Sequence, residues 1–282
     1  MEKGEETVRL PVNFHQTFIP ERIYLSSLLR LAARGGEGTY KEISAETGIP
    51  VGQSSGKVPA ILNYCSGMGL IRVEKGTAPG QKRPVLTPFG RSVLLEDANL
   101  SEPLSQWLAH LHLCRENGGA EIWHLTFGRS SDVLGMTFSE NDLEEYLASI
   151  CGRKNRSLIG PLMGTYEEPA ALKGAGAIVR GEQGLVRTPA PLLRGFQNGY
   201  GVLLLSLWEF CFPNAGQVTL SDFESGTYFR RICGWNDEQC TMVLALLQER
   251  GVVDIDKQMH PWVLTRRSES SSLWRMLYED LA

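Results

Sequence analysis

Residues 39–91 read TYKEISAETGIPVGQSSGKVPAILNYCSGMGLIRVEKGTAPGQKRPVLTPFGR. Thr39 and Glu42 have the T-x-x-E spacing of a capping box, in which each side chain satisfies an amide that the first helical turn leaves unpaired. The short helix they open is expected to stop at Gly48, where a left-handed backbone carries no steric cost. After a turn, Ser54 or Ser55 is expected to cap a second helix, with Val58, Ile61, Leu62 and Cys65 at helical spacing. Pro59 is compatible with that helix because it falls in or near the first turn. Gly67 and Gly69 end it. Leu70-Ile71-Arg72-Val73 then alternates as an edge strand does, a loop rich in Gly, Pro, Lys and Arg covers 75–84, and Val85-Leu86-Thr87 reads as a return strand. Helix, turn, helix, hairpin is the order of a winged helix-turn-helix, whose second helix enters the DNA major groove while the hairpin touches backbone.

Charge agrees locally. The segment holds seven Lys/Arg against three Asp/Glu, whereas the whole chain of 282 residues is net −4. Such a chain does not coat DNA non-specifically, but a local basic patch can dock on it. Lys57 opens the candidate recognition helix, and Arg72, Lys75, Lys82 and Arg83 cluster on the hairpin. With Ser54 and Ser55 these are the expected DNA contacts. Winged helices also serve as protein–protein modules, so a partner protein is the competing reading.

At this length the chain has room for two or three domains. A hydrophobic content of 42% and a charged content of 21% place it among globular rather than disordered chains. No apolar run reaches the length of a membrane span. The opening MEKGEETVRLPVN lacks the apolar core of a secretory signal, so a cytoplasmic location is expected. The six cysteines include no C-x-x-C pair and fall mostly in apolar patterns, as reduced core thiols do. No metal site is expected from them.

Ahead of the decisive stretch, Pro20-Glu21-Arg22 starts a helix with Tyr24, Leu25, Leu28, Leu29 and Ala32 on its buried face. His15, between two aromatics, reads as a packed histidine. Residues 92–182 turn acidic, with thirteen Asp/Glu against seven Lys/Arg. Pro103 to Leu113 reads as an apolar helix with Trp107, Leu108 and Leu111 inward, and Ile122 to Phe127 as the continuation of a helix pair. Glu140 to Ile150 is a helix with a stripe at Leu143 and Leu147. His110 and His112, two apart, point to different faces of a helix, which argues against a shared metal with His124. The basic cluster Arg153, Lys154 and Arg156 precedes a helix-like run, where amides of a helix start also favour an anion. It is the expected second DNA contact. Residues 165–195 read as a Gly/Pro-punctuated connector with short strands and no phosphate-binding loop.

The last hundred residues repeat the opening. Gly199 to Phe210 is an apolar helix, Thr219-x-x-Asp222 caps a helix running to about Cys233, and Asn236-x-x-Gln239 opens a third with Met242, Val243, Leu246 and Leu247 inward. Gly251-Val252-Val253-Asp254-Ile255-Asp256-Lys257 echoes Gly69-Leu70-Ile71-Arg72-Val73-Glu74-Lys75 in register, and Val263-Leu264-Thr265 echoes Val85-Leu86-Thr87. The expected fold is therefore mainly α with small β wings: tandem winged helix-turn-helix domains, 1–95 and 196–282, flanking a helical middle domain and connector, 96–195. Asp237 and Glu238 would repel phosphate from the second copy, whose hairpin is basic only at Lys257, His260, Arg266 and Arg267. That copy is expected to touch backbone weakly or to be structural.

The segments FHQTFIPERIYLSSLLRLA (14–32), EPLSQWLAHLHL (102–113), AEIWHLTFG (120–128), TFSENDLEEYL (137–147) and TYEEPAALKGAGAIVRGEQG (165–184) together resemble a family of bacterial proteins encoded beside DNA phosphorothioation genes. Phe-His-x-Thr-Phe and Trp-Leu-x-His-Leu are its most specific motifs. The function associated with that family is the nicking component of the Ssp-type single-strand phosphorothioation system, which inserts sulfur into the DNA backbone in phage defence. The resemblance implies DNA as substrate. It implies a cysteine desulfurase, an ATPase and a phosphosulfate-reductase-like protein as partners, and leaves the oligomeric state open, a dimer included. It carries over no catalytic motif. Metal-dependent nicking would need clustered carboxylates for Mg²⁺ or Mn²⁺. No standard nuclease pattern is present, and the candidates are Asp132, Glu140, Asp142, Glu144, Glu145, Glu167 and Glu168. The pairing of Tyr166, Glu167 and Glu168 with the Arg153–Arg156 cluster is the first to test. A winged-helix transcriptional regulator or a protein–protein adaptor without chemistry is the alternative.

Overall fold

The computed structural model describes residues 9–51, 56–152, 156–258 and 260–281. It is mainly helical, with small antiparallel sheets, and divides into two compact units, Met1–Thr188 and Pro189–Ala282. Among the described residues no helix is long and apolar enough to cross a membrane.

The first unit opens with α1 (Arg22–Ala33), α2 (Tyr40–Thr47), α3 (Lys57–Gly67), the hairpin β1 (Ile71–Lys75) and β2 (Lys82–Leu86), and α4 (Pro88–Glu96). The capping box forms as its spacing predicts: Thr39 Oγ1 accepts the Glu42 amide, and Glu42 accepts the Thr39 amide at 2.6 Å. Gly48 ends α2 at φ +73°. The cap of α3 differs from the expectation. Its N-cap is Gly56, and Ser54 and Ser55 lie outside the described residues. Gly38, just before α2, pairs with Lys82 through two backbone hydrogen bonds, so the hairpin gains a one-residue third strand.

Residues 96–188 are built onto this framework. α5 (Pro103–Leu113) is buried from Leu104 to its end. α6 (Glu121–Trp123) continues into a π-helical turn, His124–Arg129, in place of the regular helix expected there. β3 (Thr137–Phe138) leads to α7 (Glu140–Cys151), capped by a Ser139–Asp142 box, and then to α8 (Ile159–Glu167). β4 (Ile178–Gly181) and β5 (Gly184–Arg187) complete a sheet of order β3-β5-β4. Phe14, Tyr64 and Trp123 pack edge-on or tilted at centroid distances of 4.8–5.8 Å, which knits the chain start, α3 and α6 into one core. Aromatic contacts of this kind contribute beyond their buried area. The Trp-Leu-x-His-Leu motif lies in this interior, with Trp107, Leu108, His110 and Leu111 buried, and of Phe-His-x-Thr-Phe the first two residues, Phe14 and His15, are buried while Thr17 is exposed.

The second unit runs α9 (Gln197–Cys211), β6 (Gln217–Thr219), α10 (Leu220–Thr227), α11 (Phe229–Ile232), α12 (Asp237–Glu249), β7 (Val253–Asp256), β8 (Val263–Arg266) and α13 (Ser270–Leu273). Its sheet order, β6-β8-β7, reproduces the order Gly38-β2-β1 of the first unit. The internal echo read from the sequence is thus an echo of topology. Two local expectations are corrected. The helix from Thr219 does not run to Cys233; it breaks at Tyr228, whose φ of +56° ends α10 before α11 begins. Met242 does not face inward: it is 50% exposed, while Val243 and Leu247 fill the interior of α12.

Candidate nucleic-acid interface and carboxylate pocket

The expected recognition helix, α3, is held closely in the first unit. Val58, Ala60, Ile61, Leu62, Tyr64 and Cys65 are buried, and a Cβ at Gly67 would meet Leu10 and Leu113 at under 3 Å. Lys57 is tied down as well. Its ammonium forms an ion pair with Glu21 and lies 4.6 Å from the Tyr24 ring centroid, leaving the side chain 15% exposed. The charge expected to meet phosphate is met here within the unit, by Glu21. A pair across 36 positions leaves no local spacing signal.

The hairpin is different. Its register sets Arg72 opposite Val85, Glu74 opposite Arg83 and Lys75 opposite Lys82. Arg83 and Glu74 form a cross-strand pair at 2.6 Å. Among the described residues Arg72, Lys75 and Lys82 have no carboxylate partner, and Arg72 and Lys75 are exposed. Glu37 accepts the Thr77 amide at 3.2 Å and the Thr77 hydroxyl, which fixes the hairpin tip to the segment before α2. These two bonds hold the Glu37 carboxyl below the usual carboxylate range. Four cations stand against two carboxylates, on a hairpin anchored at both ends. Of the second basic cluster, Arg153 and Lys154 lie outside the described residues, and Arg156 opens a short 3-10 turn, Arg156–Leu158.

The carboxylate candidates separate. Tyr166 is turned into the core. Its hydroxyl lies 2.6 Å from His110 Nδ1 and accepts the Trp123 indole N–H at 2.9 Å. Burial pushes its pKa well above the ordinary tyrosine value and pulls His110 down to about 3, with the Arg187 charge as a smaller cause. Glu167 and Glu168 face outward and line a cavity of about 590 Å³ with Glu140 and Glu144 of α7. Arg180, on β4, pairs with both Glu140 and Glu167. Arg180 carries no local sequence signal for this role, since it lies forty positions beyond Glu140.

A divalent cation needs carboxylate oxygens free to coordinate it. Two of the four carboxylates here share the single Arg180 guanidinium, whose one charge sits where a divalent cation would have to stand, so the pocket as arranged does not present those two acids to a metal. Asp142 is also engaged: it accepts from the Ser139 amide and hydroxyl, and its pKa is lowered by those bonds. Among the described residues no three His, Cys, Asp or Glu side chains gather as a metal-binding group.

A family model described as a protein of unknown function, DUF4007, matches residues 13–159, just over half of the sequence. The chain belongs to the DUF4007 family. No match is found among curated proteins. Two solved structures are similar to this DUF4007 chain in fold. A magnesium-ion-bound SspB crystal structure is 16% identical with a TM-score of 0.73, and an SspB crystal structure is 15% identical with a TM-score of 0.68. Each likeness covers 98% of this chain and 90% of SspB. The likeness in fold extends beyond the DUF4007 segment, and it agrees with the resemblance to an Ssp-type component read from the sequence.

Proposed function

We propose that this chain is the DNA-contacting component of a bacterial DNA phosphorothioation system acting in phage defence, located in the cytoplasm, and that it grips duplex DNA through a winged helix-turn-helix in its first unit. The observation that carries this reading is the hairpin: among the described residues Arg72, Lys75 and Lys82 stand without carboxylate partners, on a two-stranded wing that follows a capped helix-turn-helix order. The likeness to SspB over the length of the chain supports the assignment to such a system. The hairpin, rather than α3, supplies the charge, because α3 offers only the half-buried Pro59, Asn63 and Ser66 beside its locked lysine. A desulfurase, an ATPase and a phosphosulfate-reductase-like protein are the partners this role implies, and nicking to admit sulfur is its proposed chemistry. The competing reading, a binding protein without chemistry, is favoured by Arg180 occupying Glu140 and Glu167.

Two measurements test the proposal. Binding to duplex DNA should weaken steeply with salt, the log–log slope reporting the number of phosphates neutralised. Absence of duplex binding at low salt removes the DNA reading. Incubation of supercoiled plasmid with Mg²⁺ or Mn²⁺, with and without EDTA, separates the two classes. Relaxed circles that vanish with EDTA support the nicking component, and intact plasmid with retained binding supports the adaptor or regulator.

A further inference from the structure

The second unit repeats the topology of the first, but the surface that corresponds to α3 and its hairpin is built for another occupant. Between α10, α12 and the end of the β7–β8 hairpin lies a cavity of about 410 Å³. Its floor and walls are apolar, formed by Leu220, Leu244, Pro261 and Trp262. Acids of the first turn of α12 stand at its mouth, while the half-buried Glu224 inside is shifted towards its neutral form. Glu224 lines the cavity and accepts the Arg230 backbone amide with both oxygens, at 3.0 and 3.1 Å. Asp237 lines it from the first turn of α12, with its side chain 94% exposed, and Glu238 follows in the same turn. Two cations stand nearby, Arg230 in the lining itself, and its pair engages Asp237 as well, which leaves Glu238 as the unshared acid of that turn among the described residues. The Arg230 guanidinium reaches Asp237 at 3.4 Å and the Trp235 carbonyl at 3.4 Å, and the Lys257 ammonium stands 4.8 Å from the Trp262 ring centroid.

A phosphate backbone approaching this groove would meet the acids of α12 first, and like charge repels. An apolar recess of this size behind an acidic mouth instead matches a side chain that is large and apolar, carried on a segment that is basic. Apolar anchors filling a pocket, with charges at the rim setting orientation and choice of partner, are how protein interfaces are commonly built.

We infer that the groove between α10, α12 and the β7–β8 hairpin is a docking site for a partner protein, and that it takes a segment presenting one large apolar side chain flanked by lysine or arginine. The tandem copies then divide their work: the first presents cations to DNA, and the second holds a protein.

The test uses the intact chain and three synthetic pentapeptide amides: one phenylalanine between two pairs of lysines, the same with glutamates for the lysines, and the same with alanine for the phenylalanine. Affinity is measured by titration calorimetry and the site by hydrogen exchange. The lysine–phenylalanine peptide should bind and protect amides in residues 220–244. Its glutamate and alanine counterparts should each bind at least about tenfold more weakly. Glu238→Gln, at a side chain open to solvent, should lower the affinity severalfold, with a melting temperature within a few degrees of the wild type. The inference is overturned by equal binding of the glutamate peptide, by no binding at millimolar concentration, or by protection elsewhere. It is also overturned if a single-stranded oligothymidylate protects residues 220–244 instead. Loss of duplex binding by the first unit would leave this outcome untouched, because none of the groove's residues belongs to that unit.

Discussion

The Tyr166 hydroxyl lies 2.6 Å from His110 Nδ1, inside the first unit, and the same oxygen accepts the Trp123 indole N–H at 2.9 Å. One phenol oxygen therefore satisfies two buried ring nitrogens contributed by α5 and α6. Removing it would leave both without that partner, and a buried polar group without its bond costs about 1–3 kcal/mol. Tyr166→Phe should lower the stability of the first unit by about that amount, read as a shift in the denaturant midpoint. DNA affinity per folded molecule, and any nicking, should be unchanged. A variant of unaltered stability that loses nicking would return Tyr166 to the catalytic candidates.

Lys57 and the hairpin cations make opposite predictions, although all have the same charge. Lys57→Ala strands Glu21 and removes a cation from the Tyr24 ring, so it should destabilise by about 1–2 kcal/mol. Its salt slope for duplex binding should match that of the wild type. Arg72→Ala combined with Lys82→Ala should leave the melting temperature nearly unchanged and reduce the log–log salt slope by about one unit for each phosphate no longer neutralised. An unchanged slope in the double variant would remove the hairpin from the interface.

What the sequence reveals and what it hides follow one physical line. Thr39 with Glu42 and Asn236 with Gln239 are legible as capping boxes because a cap is completed within four residues. The repeated hairpins are legible because strand alternation and turn glycines are local too. Lys57 reads as an interface residue in the sequence because its partner, Glu21, is remote along the chain. Tyr166 and Glu167 are adjacent in the chain but about 100° apart around α8, so one enters the core and the other lines a cavity. The break at Tyr228 is hidden because a left-handed residue that is not glycine carries no compositional mark.

The two units should respond to acid in opposite directions. His15 and His124 are pulled down to about 4 and His110 to about 3, chiefly by burial, and His112 is lowered for the same reason. An unfolded histidine takes up a proton near pH 6.5, whereas these do so only at much lower pH. Between those limits the unfolded state binds more protons, so the first unit loses stability as pH falls from about 6.5 towards 4. A drop from 6.5 to about 4 corresponds to roughly 3 kcal/mol for one such histidine. Glu224 has the reverse sign. Burial raises its carboxyl to about 7, so in the folded state it binds its proton first, and the second unit gains from this residue as pH falls from 7 towards 4.5. Hydrogen exchange on the intact chain at pH 7 and pH 5, corrected for intrinsic rates, should show less protection in the first unit and no parallel loss in the second. Uniform loss across both would show that these groups do not govern acid stability.

Arg180 provides the sharpest test of the carboxylate pocket. It pairs with Glu140 at the start of α7 and with Glu167 at the end of α8, and so engages two carboxylates that a divalent cation would otherwise coordinate. Both acids are half-exposed, so their pairs with Arg180 contribute little to stability. Arg180→Ala should therefore fold normally, with a melting temperature within a few degrees of the wild type. It should leave Glu140, Glu144, Glu167 and Glu168 around a cavity whose lining, among the described residues, no longer includes a cation. Mn²⁺ is a suitable probe, because oxygen ligands suit it and its binding is read directly by electron paramagnetic resonance. The variant should bind Mn²⁺ more tightly than the wild type by about tenfold or more, and Glu167→Gln added to it should reverse the gain. Equal, tight binding by both proteins, lost in Glu140→Gln, would show that the pocket takes the cation despite Arg180. That outcome would make these carboxylates the first candidates for nicking.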